Sequence, residues 1–115
     1  MKRILLSHSK VLDQSRKLSI STQNLSRLRE LAYLKDVDIE QYRTDWTGAF
    51  QGGGAVIFPD STETLVSIIK FCNQEKLNVV VQGGNTGLVG GGVGSSDSDL
   101  IISMSKMCVV LVFTF

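Results

Sequence analysis

The sequence predicts an α+β fold in which a strand, a helix and a second strand are followed by a glycine-rich loop and a third strand. Three apolar runs, 55–58, 79–81 and 100–103, have the length of buried strands. The apolar residues between the first two runs recur at helical spacing. Most of the glycines lie in two clusters, and the larger cluster separates the second run from the third.

Length and charge restrict the class of protein. The 115 residues are enough for one small domain. A net charge of +1 gives no basic face for nucleic acid. No window approaches the roughly 20 consecutive apolar residues of a membrane-spanning helix, and the final run, 109–115, is far too short. We therefore expect neither a nucleic-acid partner nor a membrane span.

The two cysteines, Cys72 and Cys108, have no neighbouring cysteine or histidine in the sequence. This spacing indicates neither a zinc site nor a disulfide framework. Each is predicted to be a small buried apolar side chain, which is consistent with a reducing compartment.

The first 29 residues contain seven lysines and arginines, several serines and a single acid, Asp13. Such a composition is typical of an organelle transit peptide. We predict a basic leader over residues 1–22 and a mitochondrial location. The alternative, a basic N-terminus on a cytoplasmic protein, remains open at this point.

Residues 23–54 are predicted to form an N-terminal helix and an irregular segment. The helix runs from Gln23 to about Lys35, with Ser21 or Thr22 as its cap. Its apolar positions are Leu25, Leu28, Leu31, Ala32 and Leu34. The run 42–48 has no period and is predicted to be irregular, with Trp46 as an aromatic anchor.

Residues 55–108 are predicted to form the core of the fold, followed by a divergent tail, 109–115. Asp60 and Glu63 have the spacing of a capping box at the start of the helix. The apolar stripe of that helix is Leu65, Ile68, Ile69 and Cys72. The flanking strands, both predicted to be buried, are expected to run parallel with a right-handed crossover between them.

The glycine loop, 82–92, leaves the end of the second predicted strand, where open α/β sheets bind their ligands. Small residues at such a position allow successive N–H groups to face phosphate oxygens. The loop lacks the GK[ST] of the Walker motif, and its glycines do not fit G-x-G-x-x-G. On composition and spacing alone, a phosphate-cradling loop and a glycine-rich surface turn both remain open.

The string Gln82-Gly83-Gly84-Asn85-Thr86-Gly87-Leu88-Val89-Gly90-Gly91 closely resembles the pyrophosphate loop of FAD-linked oxidases of the vanillyl-alcohol oxidase superfamily. The resemblance is to the branch of D-2-hydroxyglutarate and D-lactate dehydrogenases and the glycolate oxidase D subunit. The segments 45–48 and 59–64 are similar to the same branch. The similarity extends from about Tyr42 to Met107.

The resemblance implies the first subdomain, here incomplete, of a PCMH-type FAD-binding module. It implies that the ten residues 82–91 contact the FAD diphosphate. Many relatives attach FAD covalently through a histidine in this loop, where this chain has Asn85 and Thr86. The only histidine, His8, lies in the leader. Noncovalent FAD is therefore expected, with no metal.

The resemblance further implies a parent enzyme that oxidises a small D-2-hydroxy acid to the 2-oxo acid by hydride transfer to the flavin. This chain departs from the family pattern at Val81, where relatives carry proline, and after Met107. We expect it to be an N-terminal fragment, inactive alone, without the substrate domain or any catalytic residue. The alternatives are a noncatalytic nucleotide-binding or subunit-pairing module, and a flavin domain of the cell-wall reductase or ether-lipid synthase type. The Gln-Gly-Gly-Asn-Thr-Gly string favours the dehydrogenase branch.

Overall fold

A four-stranded mixed sheet organises the residues that the computed structural model describes, 19–87 and 90–107. In chain order its strands are β1 (Tyr33–Lys35), β2 (Ala55–Phe58), β3 (Val79–Gln82) and β4 (Leu100–Ser103). In the sheet their order is β1-β2-β4-β3. Strand β1 is antiparallel to β2, and β4 is parallel to both β2 and β3. The α+β class is confirmed, and the last strand lies between the two strands that precede it.

The helices of the described region are α1 (Thr22–Leu31), α2 (Glu40–Arg43) and α3 (Thr62–Gln74), and a 3₁₀ turn covers Ser105–Met107. Ser21 caps α1, as predicted, by accepting a hydrogen bond from the N–H of Asn24 at 3.1 Å. The prediction of Asp60 as the cap of α3 was wrong. Ser61 has the extended backbone of an N-cap residue, and its Oγ accepts from the N–H of Thr64 at 3.1 Å.

The first helix ends earlier than the apolar spacing predicted. Ala32 is extended, and Tyr33–Lys35 pairs with Phe58, Ile57 and Val56 of β2 instead of continuing α1. Leu34 is buried in the sheet and not on a helix face. The hydrogen bonds that β1 makes to β2 outweigh the helical preference of this leucine-rich stretch.

Strands β2 and β4 are buried along their whole length because both faces of the sheet are covered there. One face packs against α1 and α3 through Leu28, Ile68, Phe71, Ile57 and Ile102. The other face joins Val56, Phe58 and Ile101 to Ile39 and Tyr42. Ile69 was wrongly assigned to the buried stripe of α3; its side chain is 41% exposed, and Phe71 contributes to the core.

Strand β3 forms an edge of the described sheet and is not the buried strand that was predicted. Val79 is 36% exposed and Val81 is 56% exposed. The register pairs these valines with Leu100 and Ile102, so they lie on the face that α1 and α3 cover elsewhere. The helical layer therefore leaves this side of the sheet open to solvent.

The thiol of Cys72 is buried and free, as expected of a structural cysteine. Burial raises its pKa to about 11, which keeps it protonated and unreactive at neutral pH. Residues 1–18 of the predicted leader, the tail 109–115 and Cys108 lie outside the described residues. The end of the predicted leader is part of the fold, since Ile20 is buried in the core and Thr22 begins α1. None of the described helices is long and apolar enough to cross a bilayer.

Candidate functional site

The glycine loop begins at the carboxyl end of β3, at the sheet edge where the parallel strands β2 and β4 also end. The N–H of Met104 donates to the carbonyl of Gln82 at 2.9 Å, which fixes the point where the loop leaves the sheet. Ligands of open α/β sheets bind at this edge. The prediction that the glycine loop leaves the end of the second strand of the strand-helix-strand unit is confirmed.

Two amide side chains attach the loop to the segment 41–44. The buried Gln82 Nε2 donates to the carbonyl of Tyr42 at 2.6 Å and to the carbonyl of Gly92 at 2.7 Å. Asn85 Nδ2 donates to the carbonyl of Thr44 at 2.8 Å. Asn85 also has φ +55°, a left-handed conformation that asparagine tolerates well. These bonds set the start of the loop against α2 and the turn that follows it.

The glycines of the loop divide into two groups by the space around them. A Cβ added at Gly83, Gly87 or Gly91 would meet no described atom within 4 Å, and one at Gly84 would meet only the Thr86 methyl at 4.0 Å. By contrast, Gly90 has φ +78°, and its Cβ would lie 2.7 Å from the ring of Phe50. Packing inside the described chain thus explains why position 90 is glycine. It does not explain glycine at positions 83, 84, 87 and 91.

Successive N–H groups of the loop have no acceptor within the described part of the chain. Those of residues 83–87 make no hydrogen bond there, whereas the N–H groups of Val93 and Gly94 donate to Gly90 and Gly52. Five adjacent N–H groups of the loop are therefore unengaged by the described residues. Unpaired backbone donors beside open glycines suit the oxygens of a phosphate group.

A tight turn over residues 45–50 lies beside the loop and is organised by Asp45. The Asp45 carboxylate, which is 5% exposed, accepts from the Thr47 hydroxyl at 2.9 Å and from the Phe50 N–H at 3.2 Å. Desolvation raises the pKa of Asp45, but the hydrogen bonds from Phe50, Thr47 and Gly48 together hold that pKa below its ordinary value. The carboxylate is thus a fixed, ionised part of the turn.

Trp46 does not anchor the core, contrary to its predicted role. Its side chain is 72% exposed. It lines a cleft of about 380 Å³ between the turn and the loop. The lining residues are Gln41, Thr44, Asp45, Trp46, Gly84 and Asn85. The carbonyls of Gln41 and Thr44 accept hydrogen bonds from Asn85 Nδ2, contacts that no side-chain pattern in the sequence could reveal.

The second glycine cluster, 52–54, supports the returning arm of the loop. A Cβ on Gly52 would lie 2.0 Å from the Gly94 carbonyl oxygen, and one on Gly54 would lie 1.8 Å from that of Asp97. The N–H of Gly54 donates to the carbonyl of Asp99 at 2.9 Å. Only bare backbone allows these two segments to approach so closely.

The described lining of the cleft combines amide and hydroxyl side chains with one indole and one carboxylate. That carboxylate, of Asp45, is engaged in the 45–50 turn. The described residues include no group of three or more His, Cys, Asp or Glu side chains placed to hold a metal ion. Of the ten predicted contact residues, Leu88 and Val89 lie outside the described region.

Comparison with known proteins gives a family match and several similar proteins. The family described as FAD binding domain matches residues 54–114, continuing past Met107, where the similarity was expected to end. The chain is 33% identical over 101 residues to the mitochondrial D-2-hydroxyglutarate dehydrogenase of Arabidopsis thaliana, covering 83% of this chain and 18% of that protein. It is 37% identical over 99 residues to the protein of the same name from Danio rerio, covering 82% and 18%.

A third similar protein, from Schizosaccharomyces pombe, carries the name of a mitochondrial D-lactate dehydrogenase. It is 39% identical over 71 residues, covering 61% of this chain and 13% of that protein. The chain therefore spans less than a fifth of the length of each of these three proteins.

Proposed function

This chain belongs to the FAD-binding domain family, and from that premise we propose that its glycine loop holds the diphosphate of FAD without a covalent bond. The observation that carries the proposal is the row of N–H groups at residues 83–87 that have no acceptor among the described residues, beside glycines with open space around them. The proposed contact residues are Gln82, Gly83, Gly84, Asn85, Thr86, Gly87, Leu88, Val89, Gly90 and Gly91.

The described loop residues leave space for a diphosphate and present N–H groups that have no acceptor among the described residues. The open glycines allow its oxygens to approach the backbone closely. Backbone N–H groups can neutralise part of the phosphate charge through charge-assisted hydrogen bonds. Gln82 and Asn85 hold the two sides of the site together, since their amide nitrogens bridge the loop to Tyr42 and Thr44.

We propose that the domain serves a flavin-dependent dehydrogenase that oxidises a D-2-hydroxy acid to the 2-oxo acid, and that this protein is mitochondrial. The similar proteins carry the names of such enzymes, and they are named as mitochondrial. When bound, FAD supplies the hydride acceptor. We assign the described sheet to the first subdomain of a PCMH-type module. This subdomain would hold the cofactor in place and exclude water from its diphosphate.

Noncovalent attachment predicts complete release of flavin on acid denaturation. The loop 82–92 contains no histidine or cysteine, and Cys72 is buried on α3. The chain is to be saturated with FAD, washed, and precipitated with acid; all flavin absorbance is expected in the supernatant. Flavin retained in the washed pellet would contradict a noncovalent site, and failure to retain any FAD before precipitation would contradict the proposed function itself.

We further expect no oxidation of D-lactate or D-2-hydroxyglutarate by this 115-residue chain, even with FAD bound. Among the described residues that line the cleft, only Asp45 is ionisable, and its hydrogen bonds and lowered pKa make it a poor proton acceptor. The assay uses an artificial electron acceptor, with the Gly87→Val variant as the background. Turnover above that background would show that the chain carries catalytic groups of its own.

A further inference from the structure

Trp46 is an aromatic side chain that the fold itself does not use. It is the only tryptophan of the chain, and 72% of it is exposed. Large indole rings are usually well buried in folded proteins. A flexible segment does not explain this exposure, because the neighbouring Asp45 is buried and its carboxylate holds the turn through Thr47 and Phe50.

The indole stands next to the unpaired donors of the loop. Trp46 and Gly84 line the same cleft, and Asn85 bridges the loop to the carbonyl of Thr44, two residues before Trp46. A ligand whose phosphate is held by residues 83–87 therefore places its adjoining atoms near the indole. The described residues that line this cleft include no lysine or arginine, so the side-chain contacts that they offer such a ligand are polar or aromatic.

We propose that Trp46 is a positioning residue that stacks on a planar heteroaromatic ring of the dinucleotide bound by the loop. The inference rests on the proposed function and deepens it, since the loop would hold the diphosphate and Trp46 one of the rings beyond it. FAD carries such a ring on each side of its diphosphate, adenine on one and isoalloxazine on the other. Stacking on an aromatic side chain requires only a π-face, which both rings present.

The test compares three ligands with three forms of the chain. Inorganic pyrophosphate probes the loop alone, ADP adds adenine, and FMN carries the isoalloxazine ring. Equilibrium dialysis measures each affinity for the wild type, Trp46→Leu and Trp46→Phe. Because the side chain is exposed, both variants are expected to melt at the wild-type temperature, which circular dichroism checks.

We expect Trp46→Leu to weaken binding of one ring-bearing ligand about tenfold and to leave pyrophosphate binding unchanged. Trp46→Phe retains a π-face and is expected to restore most of the lost affinity. Loss in the ADP arm assigns adenine to Trp46, and loss in the FMN arm assigns isoalloxazine. For ADP, quenching of the single tryptophan's fluorescence gives an independent readout.

Unchanged affinity of Trp46→Leu for both ADP and FMN, with pyrophosphate still bound, would overturn the stacking and leave the phosphate site standing. Equal weakening of pyrophosphate and the ring-bearing ligands would also overturn it, because it would show a structural effect on the loop. Failure of the wild type to bind pyrophosphate, ADP, FMN and FAD would overturn the proposed function together with this inference.

Discussion

Replacing Gly87 with valine is expected to weaken FAD binding at least about a hundredfold while leaving the fold intact. The branched side chain would fill the space in which the diphosphate approaches the backbone, and losing two charge-assisted hydrogen bonds accounts for a change of this size. The fold should tolerate the change, because an added Cβ at Gly87 meets no described atom within 4 Å. Equilibrium dialysis with FAD measures the affinity, and thermal melting followed by circular dichroism measures the stability.

Ala49→Val is a matched control for this experiment. Ala49 is exposed on the 45–50 turn, outside the loop, and receives the same side chain. Both variants should melt like the wild type, and only Gly87→Val should lose FAD. If Gly87→Val bound FAD as tightly as Ala49→Val does, the loop could not be the diphosphate site.

Unlike Gly87→Val, which should leave the fold intact, Gly54→Ala is expected to lower the free energy of unfolding by about 3 kcal/mol or more. Its Cβ would lie 1.8 Å from the carbonyl oxygen of Asp97, which is backbone and cannot rotate away. The two segments cannot separate cheaply either, because the N–H of Gly54 donates to the carbonyl of Asp99 at 2.9 Å. A loss of this size corresponds to a drop in Tm of roughly 10 °C or more.

Gly83→Ala provides the comparison for Gly54→Ala. An added Cβ at Gly83 meets no described atom within 4 Å, so its free energy of unfolding should be unchanged or slightly raised. Urea titrations of the wild type, Gly54→Ala and Gly83→Ala measure the differences in the free energy of unfolding directly. Equal stabilities for Gly54→Ala and Gly83→Ala would show that residues 52–54 and 94–99 do not pack as closely as described.

The elements that could be predicted from the sequence are those with local determinants. Strands β2 and β4 are short apolar runs, and α3 has apolar residues at helical spacing between a serine cap and a polar end. Strand β1 could not be predicted in this way. Tyr33–Lys35 is extended because it pairs with β2, some twenty residues later in the chain, and this pairing overrides its local preference.

The location of the candidate site could be predicted from the sequence, but the arrangement of its residues could not. The glycines after an apolar run indicated where the loop would be. Which glycines face open space and which pack against Phe50 depends on tertiary contacts that the glycine pattern does not record. The exposure of Trp46 was missed for a related reason: an aromatic residue predicts burial on average, and only the turn built on Asp45 turns it outward.

The position of β4 has a consequence for the order in which the chain can fold during synthesis. Leu100–Ser103 is made last of the four strands but lies between β2 and β3, and β3 has no other strand partner in the described sheet. While the ribosome has released only the first 99 residues, β1 and β2 can pair, but the facing edges of β2 and β3 stay unfilled. The glycine loop is anchored at both ends only once β4 has emerged. We therefore expect cofactor capture to follow the emergence of this strand, and until then β3 lacks the strand partner that it has in the described sheet.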